Sequence, residues 1–387
     1  MSISESDIQN ALKTLIDPNT NTDFISSKSA KNIQVNGNDV SVDVVLGYPA
    51  NSVMAEIKIL VEEQLKSVSG VSKVTVNIGS RIVAHTAQRG VPLIPNVKNI
   101  IAVASGKGGV GKSTTAVNIA LALAEEGATV GILDADIYGP SQPQMLGISG
   151  RPESEDGKSI EPMQAHGIQA MSIGFLVDVD TPMVWRGPMV TGALEQLLRD
   201  TRWKDLDYLI IDLPPGTGDV AISTANLLPK AKLVIVTTPQ IAAADVAIRA
   251  GMLAPSINQK IAGVIENMSS FACPHCGDLT EIFGRGGAER FLELPSRMRP
   301  ATHVHQPCSA FAHQRFVDRV TVALEVALIR CENRSRAVAT ARCLEVISHI
   351  GVFLIAGETP EVAQPGPVVG RIQITDRRFI SLDHETT

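Results

Sequence analysis

The sequence predicts an α/β protein: a doubly wound, mostly parallel sheet preceded by a small α+β domain. Three observations predict it. From Asn99 onward, short apolar strands alternate with helices, the pattern of parallel strands joined by crossover helices and covered on both faces. A glycine-rich turn, Gly106–Ser113, stands between the first of those strands and the first of those helices. And the 387-residue chain is longer than one small core usually holds, with a Gly/Pro-punctuated stretch dividing it near residue 90.

The elements follow in chain order. Ile8, Leu12 and Leu15 share one helical face, and Asp17-Pro18-Asn19 stops that helix because proline cannot continue it. Val40-Ser-Val42-Asp-Val44 alternates as a strand does, Met54–Leu65 repeats apolar residues at helical spacing, and Val71–Ile78 gives a further strand. These make a small α+β domain over 1–88, followed by a linker over 89–98. Then come strand Ile100–Ala104, helix Ser113–Glu126, strand Ala128–Leu133, helix Gly192–Asp200, strand Tyr208–Ile211, helix Val220–Leu228, strand Leu233–Thr237, helix Ala243–Leu253 and strand Ile261–Glu266. In such a sheet, ligands bind at the carboxyl ends of the strands.

Composition narrows the function classes. With 44% hydrophobic and 19% charged residues and a net charge of −6, the chain reads as globular, not disordered and not a generally basic nucleic-acid binder. No stretch approaches the roughly 18 uninterrupted apolar residues that span a bilayer, and MSISESDIQN has neither a basic nor an apolar leader region. The expectation is a cytoplasmic protein that engages neither membrane nor nucleic acid. The five cysteines all lie at or beyond Cys273, too few and too clustered for a disulfide framework.

Gly106-Lys-Gly-Gly-Val-Gly-Lys112-Ser113 fits the spacing GxxxxGK[ST] between a strand and a helix, as a phosphate-binding loop requires. Gly106, Gly108, Gly109 and Gly111 let the backbone curl so that its N–H groups, Val110's included, point at phosphate oxygens, and the helix N-terminus adds partial positive charge. Lys112 reaches the β- and γ-phosphates of ATP, Ser113 holds Mg²⁺ through its hydroxyl, and Thr114 touches the α-phosphate. Two acidic clusters support this reading. Asp134-Ala-Asp136 ends one strand with both carboxylates on one side, and Asp212 stands at the tip of another before the turn Leu-Pro-Pro-Gly216-Thr-Gly-Asp219. Acids there are in reach of the metal or the attacking water.

Cys273-Pro-His-Cys276 offers two thiolates that clamp one soft metal atom but supply only half of a tetrahedral site. On the residues alone three completions stay open: zinc with Cys308 or with His303 and His305, a redox dithiol, or a cluster shared across a symmetric dimer.

The second lysine of the loop, Lys107, resembles that of the deviant Walker A ATPases, the class of MinD and ParA, with a MinD-like P-loop NTPase fold. The resemblance implies that Lys107 crosses a dimer interface to the partner's nucleotide, where it acts as an arginine finger does. Taken in order, Lys107–Thr114, Asp134–Pro143, Trp185-Arg-Gly-Pro188, Asp212–Asp219, Glu266-Asn-Met268 and Cys273–Cys276 resemble the iron-sulfur cluster carrier ATPases, the Mrp or ApbC family. The segment 1–88, with Tyr48-Pro49, resembles the iron-sulfur-assembly-type domain that precedes the ATPase in bacterial members. What this implies is a homodimer that binds ATP and Mg²⁺, holds a [4Fe-4S] cluster between its Cys273 and Cys276 pairs, and passes it to apo iron-sulfur proteins. By the same resemblance Asp136 orients or activates water, Asp212 supports Mg²⁺ through its water shell, and Asn267 hydrogen-bonds the adenine. The alternatives are a MinD/ParA-type positioning ATPase and a nucleotide-binding scaffold with structural zinc.

The resemblance covers the ATPase domain at 99–290 and fades after about Leu292. The last lysine is Lys260, and the segment 291–387 departs from the family pattern, which continues into a helix, a strand ending like IPLDP and a final helix. The expectation is an atypical carboxyl-terminal segment, with residues 316–330 an amphipathic helix and Gly351–Ala356 a short strand, and a sheet whose edge is left uncovered where its usual last strand is missing.

Overall fold

The computed structural model describes residues 3–84, 94–176, 187–216, 228, 231–254, 259–273, 275–276 and 278–293, together with the backbone of 302–307, 371–374 and 380–383. The predicted helix Val220–Leu228 (Leu228 apart), the helix at 316–330 and the strand Gly351–Ala356 lie outside the described residues.

The amino-terminal unit begins with α1 (Glu5–Thr14), whose first turn is closed by a capping box between Ser4 and Asp7. Its Ile8 and Leu12 are buried. Two short strands follow, β1 (Ile16–Asp17) and β2 (Thr22–Asp23), paired with each other. A three-stranded sheet is then built from β3 (Ala30–Asn36), β4 (Asp39–Leu46) and β5 (Lys73–Ser80), with α2 (Met54–Lys66) as the crossover between the parallel pair β4 and β5. Val40, Val42, Val44 and Leu46 point one way from β4 and meet Ile57, Val61 and Leu65 of α2, giving a core separate from that of the larger unit.

The larger unit contains β6 (Val97–Ser105), α3 (Lys112–Glu125), β7 (Val130–Asp134), α4 (Gln142–Met145), β8 (Met163–Ala165), β9 (Ile168–Ser172), α5 (Gly187–Asp200), β10 (Leu206–Asp212), β11 (Lys232–Thr237), α6 (Ile241–Leu253), β12 (Lys260–Ala272), β13 (Leu279–Thr280) and β14 (Thr302–Pro307). The strand order is β13-β12-β11-β6-β10-β7-β9-β8, with β14 also paired to β12. Only β8 and β13 run antiparallel to their neighbours. β10 and β11 are apolar or buried at every position, as a strand covered on both faces must be. Strands β15 (Arg371–Ile374) and β16 (Ile380–Asp383) form a separate antiparallel pair. No helix among the described residues is long and apolar enough to cross a membrane.

Two expectations need correction, and one element was not foreseen. The strand expected to end at Glu266 runs on to Ala272, because Glu266 and Asn267 find buried hydrogen-bond partners. The region between Leu133 and Gly192 contains a hairpin, β8–β9, that the sequence did not announce. And the edge of β12 is not left open: Thr302–Pro307 pairs parallel to it, from Gly263↔Thr302 to Glu266↔His305.

The two units meet at the carboxyl end of α3. Backbone N–H groups of Ala50 and Asn51 donate to the Glu126 carbonyl at 3.2 and 3.3 Å, and Ser52 N donates to the Glu126 carboxylate at 3.0 Å. Gly127, at φ +92°, lies so close that a Cβ would stand 2.7 Å from Asn51 Nδ2. The helix whose first turn faces the phosphate loop thus carries the small domain on its last turn.

Candidate nucleotide site and cysteine hairpin

The phosphate loop leaves β6 at Ser105 and enters α3 at Lys112. Gly106 has no room for a side chain, since a Cβ would sit 2.6 Å from the backbone of Val246 and Ala247 in α6. Gly109 and Gly111 adopt φ +77° and +84°, left-handed values that favour glycine. Ser105 Oγ donates to the Lys107 carbonyl at 3.0 Å, which fixes the start of the curl. Lys107, Gly108 and Gly109 are exposed, Val110 is buried, and Ser113 and Thr114 are partly covered in the first turn of α3.

Lys112 turns inward. Its Nζ hydrogen-bonds Asp212 Oδ1, lies 3.2 Å from Ser113 Oγ and 3.9 Å from Asp136 Oδ2. The sheet register brings these groups together: Asp212 at the end of β10 is paired with Asp134 at the end of β7. The two acids of the Asp134-Ala-Asp136 cluster are not equivalent, contrary to the expectation that both lie on one side of a strand, because β7 stops at Asp134. Asp134 is fully buried and accepts from the backbone N–H of Asp136, Ser141 and Gln142 and from the Ser172 hydroxyl. Burial, with the Asp212 charge beside it, outweighs those donors and raises its pKa to about 7. Asp136 stays partly exposed near Lys112, with its carboxyl also raised, chiefly by burial.

Sequence reading missed Gln142 as a site residue. It is buried at the start of α4, and its Nε2 donates both to Asp212 Oδ2, at 2.9 Å, and to the Ser113 carbonyl, at 3.1 Å. The only signal was its position in Asp134–Pro143.

On the other flank, Asn267 Nδ2 donates to the Val110 carbonyl at 2.9 Å, while its Oδ1 accepts from Met268 N. This amide braces the phosphate loop; the absent side chain of Gly111 leaves the space it occupies. Its neighbour Glu266, also buried, accepts from Gly286 N at 3.2 Å and Ala288 N at 2.7 Å and so anchors the glycine-rich segment after the cysteines.

β12 continues from Asn267 to Ala272 and pairs with β13 through Phe271↔Thr280 and Ala272↔Leu279. Cys273 and Cys276 therefore sit at the tip of a β-hairpin, closed by Cys273 N donating to the Asp278 carbonyl at 2.9 Å. Both thiols are free; Cys273 is half-buried and Cys276 exposed. N–H groups of Cys276 and His275 facing the Cys273 sulfur lower its pKa, favouring the thiolate that binds metal. Among the described residues no group of three or more His, Cys, Asp or Glu side chains is placed to hold a metal ion. Cys308 lies outside the described residues.

A glycine-rich loop between a parallel strand and a helix, with an invaginated lysine and acids on the adjacent strand tips, defines a P-loop NTPase. Residues 96–298, just over half of the chain, match the family of the NUBPL iron-transfer P-loop NTPases, and the chain belongs to that family. Residues 5–78 match a second family model, iron-sulfur cluster assembly protein. An iron-sulfur cluster carrier protein of Pseudomonas fragi is 53% identical over 233 residues, covering 60% of this chain and 81% of that protein. One from Haemophilus influenzae is 41% identical over 290 residues, covering 75% and 78%. A nucleotide-binding protein of Archaeoglobus fulgidus, solved in complex with ADP, aligns over 61% of this chain and 89% of its own at 33% identity and a TM-score of 0.48.

Proposed function

We propose that this chain is an ATP-dependent iron-sulfur cluster carrier, which holds a [4Fe-4S] cluster between the cysteine hairpins of two copies and delivers it to apo iron-sulfur proteins. The observation that carries this reading is the hairpin itself: two thiols at an exposed tip, with no further ligand set among the described residues. A cubane cluster takes four thiolates, and a two-fold axis through the hairpins doubles two into four. The names of the curated relatives point the same way. Free thiols suit a reducing compartment, the cytosol.

The nucleotide side follows from the same residues. Loop N–H groups receive the phosphates, and Lys112 exchanges Asp212 for the β- and γ-phosphates. The donor set fits magnesium: a hydroxyl on the first turn of α3 (Ser113) and a buried carboxylate on a strand tip (Asp212), with oxygen ligands as a hard cation needs. When bound, magnesium neutralises charge on the phosphate oxygens. Asp136 orients the attacking water, and exposed Lys107 extends to the partner's nucleotide. Thr114 contacts the α-phosphate. One N–H of the Asn267 amide remains for adenine. The link between the two halves is Asn267, bonded to the phosphate loop on one side and six residues before Cys273, which directly follows the end of the same strand.

Anaerobic reconstitution of the full chain with iron and sulfide tests this. Broad absorption near about 400 nm, with about four iron and four sulfide per two chains and a dimer mass, is expected, and Cys276→Ala should abolish it. Retention of zinc without sulfide would replace the carrier by a scaffold with a structural metal.

A further inference from the structure

Gln142 leaves one polar atom unaccounted for. Both N–H groups of its side-chain amide are committed, to Asp212 Oδ2 and to the Ser113 carbonyl. Two acceptors on that side fix which end of the amide is nitrogen, so the oxygen must face the other way. That oxygen, Oε1, is buried and finds no donor among the described residues, although the residue is only 1% exposed. An unpartnered buried carbonyl oxygen costs free energy, on the order of 1–3 kcal/mol, so the amide is kept here for what its nitrogen does.

The surroundings say what that is. Gln142 joins three elements at the strand tips: its backbone N–H donates to Asp134 at 3.0 Å, and its amide spans from Asp212 to the first turn of α3 beside Ser113. Asp212 and Ser113 are the residues that fit magnesium. We propose that Gln142 is a positioning residue for the metal–nucleotide site. Its amide nitrogen, bonded to Asp212 and to the Ser113 carbonyl, holds the strand-tip carboxylate and the first turn of α3 in place when Lys112 leaves for the phosphates. This rests on the nucleotide-site reading above.

The test is equilibrium binding of a fluorescent ATP analogue to the full-length protein, titrated with magnesium and repeated in EDTA. Gln142→Met keeps the volume and removes both the donors and the acceptor. It should raise the magnesium concentration for half-maximal tightening by about tenfold or more, the usual effect of losing an outer-shell partner. Binding in EDTA should not change. If Gln142→Met does not fold, Gln142→Ala carries the same measurement. An unshifted magnesium midpoint in the folded variant overturns the proposal, as does an equal loss with and without magnesium, which marks a purely structural residue. Wild-type protein whose nucleotide binding ignores magnesium would instead refute the site reading on which the proposal stands.

Discussion

Lys112 and Asp212 form an ion pair almost completely removed from solvent, with the lysine 6% and the aspartate 0% exposed. The phosphate-loop lysine is thus occupied by a carboxylate at the tip of the adjacent strand, and nucleotide phosphates must take it over. Breaking a buried pair by deleting one partner costs about 3–5 kcal/mol, because the other charge stays buried alone. Lys112→Ala should therefore lose nucleotide binding and also unfold at lower urea by that order. Adding Asp212→Asn should recover much of the stability and none of the binding. A single variant as stable as wild type would show that the pair is not formed in solution.

Lys107 points the opposite way in chemical terms: it is exposed, and only its backbone carbonyl is tied to the loop. Removing it should leave ATP affinity within a few-fold. If the lysine acts on the partner's nucleotide, hydrolysis should fall by ~10³, the scale of an arginine finger. Mixing Lys107→Ala with a binding-dead Lys112→Ala chain adds a directional control, because hydrolysis should return in mixed dimers that place an intact Lys107 opposite a filled site. Equal turnover in wild type and Lys107→Ala would end the trans role.

The phosphate loop was legible because its glycines and lysines act locally. Gly106, Gly109, Gly111 and Lys112 announce a curl that the backbone then makes. What stayed hidden depends on tertiary partners. Glu266-Asn-Met-Ser-Ser reads as a polar end to a strand, yet Glu266 is paid for by the N–H groups of Gly286 and Ala288, and Asn267 by the Val110 carbonyl, so the strand continues to the cysteines. The β8–β9 hairpin turns through His166-Gly167, at φ +49° and +76°. That is the backbone of a two-residue hairpin turn, but histidine stands where asparagine or aspartate usually signals it. Gln142 could be seen only as a motif letter and Asp134 only as one of two strand-tip acids, since their actual partners come from the register of β7 against β10.

Asp134 makes stability depend on pH. Its carboxyl is raised from 3.8 to about 7 in the folded chain, so folding favours the protonated form. Such a group stabilises the fold fully below the unfolded value, and the contribution is lost as pH rises through the folded one. Between about pH 4 and pH 7 it should make stability fall by up to ~1.4 kcal/mol per unit. Subtracting Asp134→Asn from wild type in chemical denaturation isolates this slope from all other groups. The difference should be largest near about pH 4 and flat above about pH 7. A difference that does not change across the window would mean that the carboxylate is ionised throughout, held by its three backbone donors.

The final prediction concerns the strand that covers the edge of β12. Thr302–Pro307 lies beyond the matched family segment, which ends at 298, yet it pairs in parallel with Gly263–Glu266, immediately ahead of Asn267 and the cysteine hairpin. Taking it away would bare the backbone of a long apolar strand, an open template for another chain. Each lost ladder hydrogen bond costs ~0.5–1.5 kcal/mol, and 1 kcal/mol shifts the midpoint of a domain this size by about 2–4 °C. A chain ending at Pro300 should therefore melt at least about 5 °C below one ending at Pro307 and scatter light in a concentration-dependent way. The comparison isolates the strand, since both chains lack everything after it. Coincident melting curves would show that β14 contributes nothing and that β12 is the true edge of the sheet.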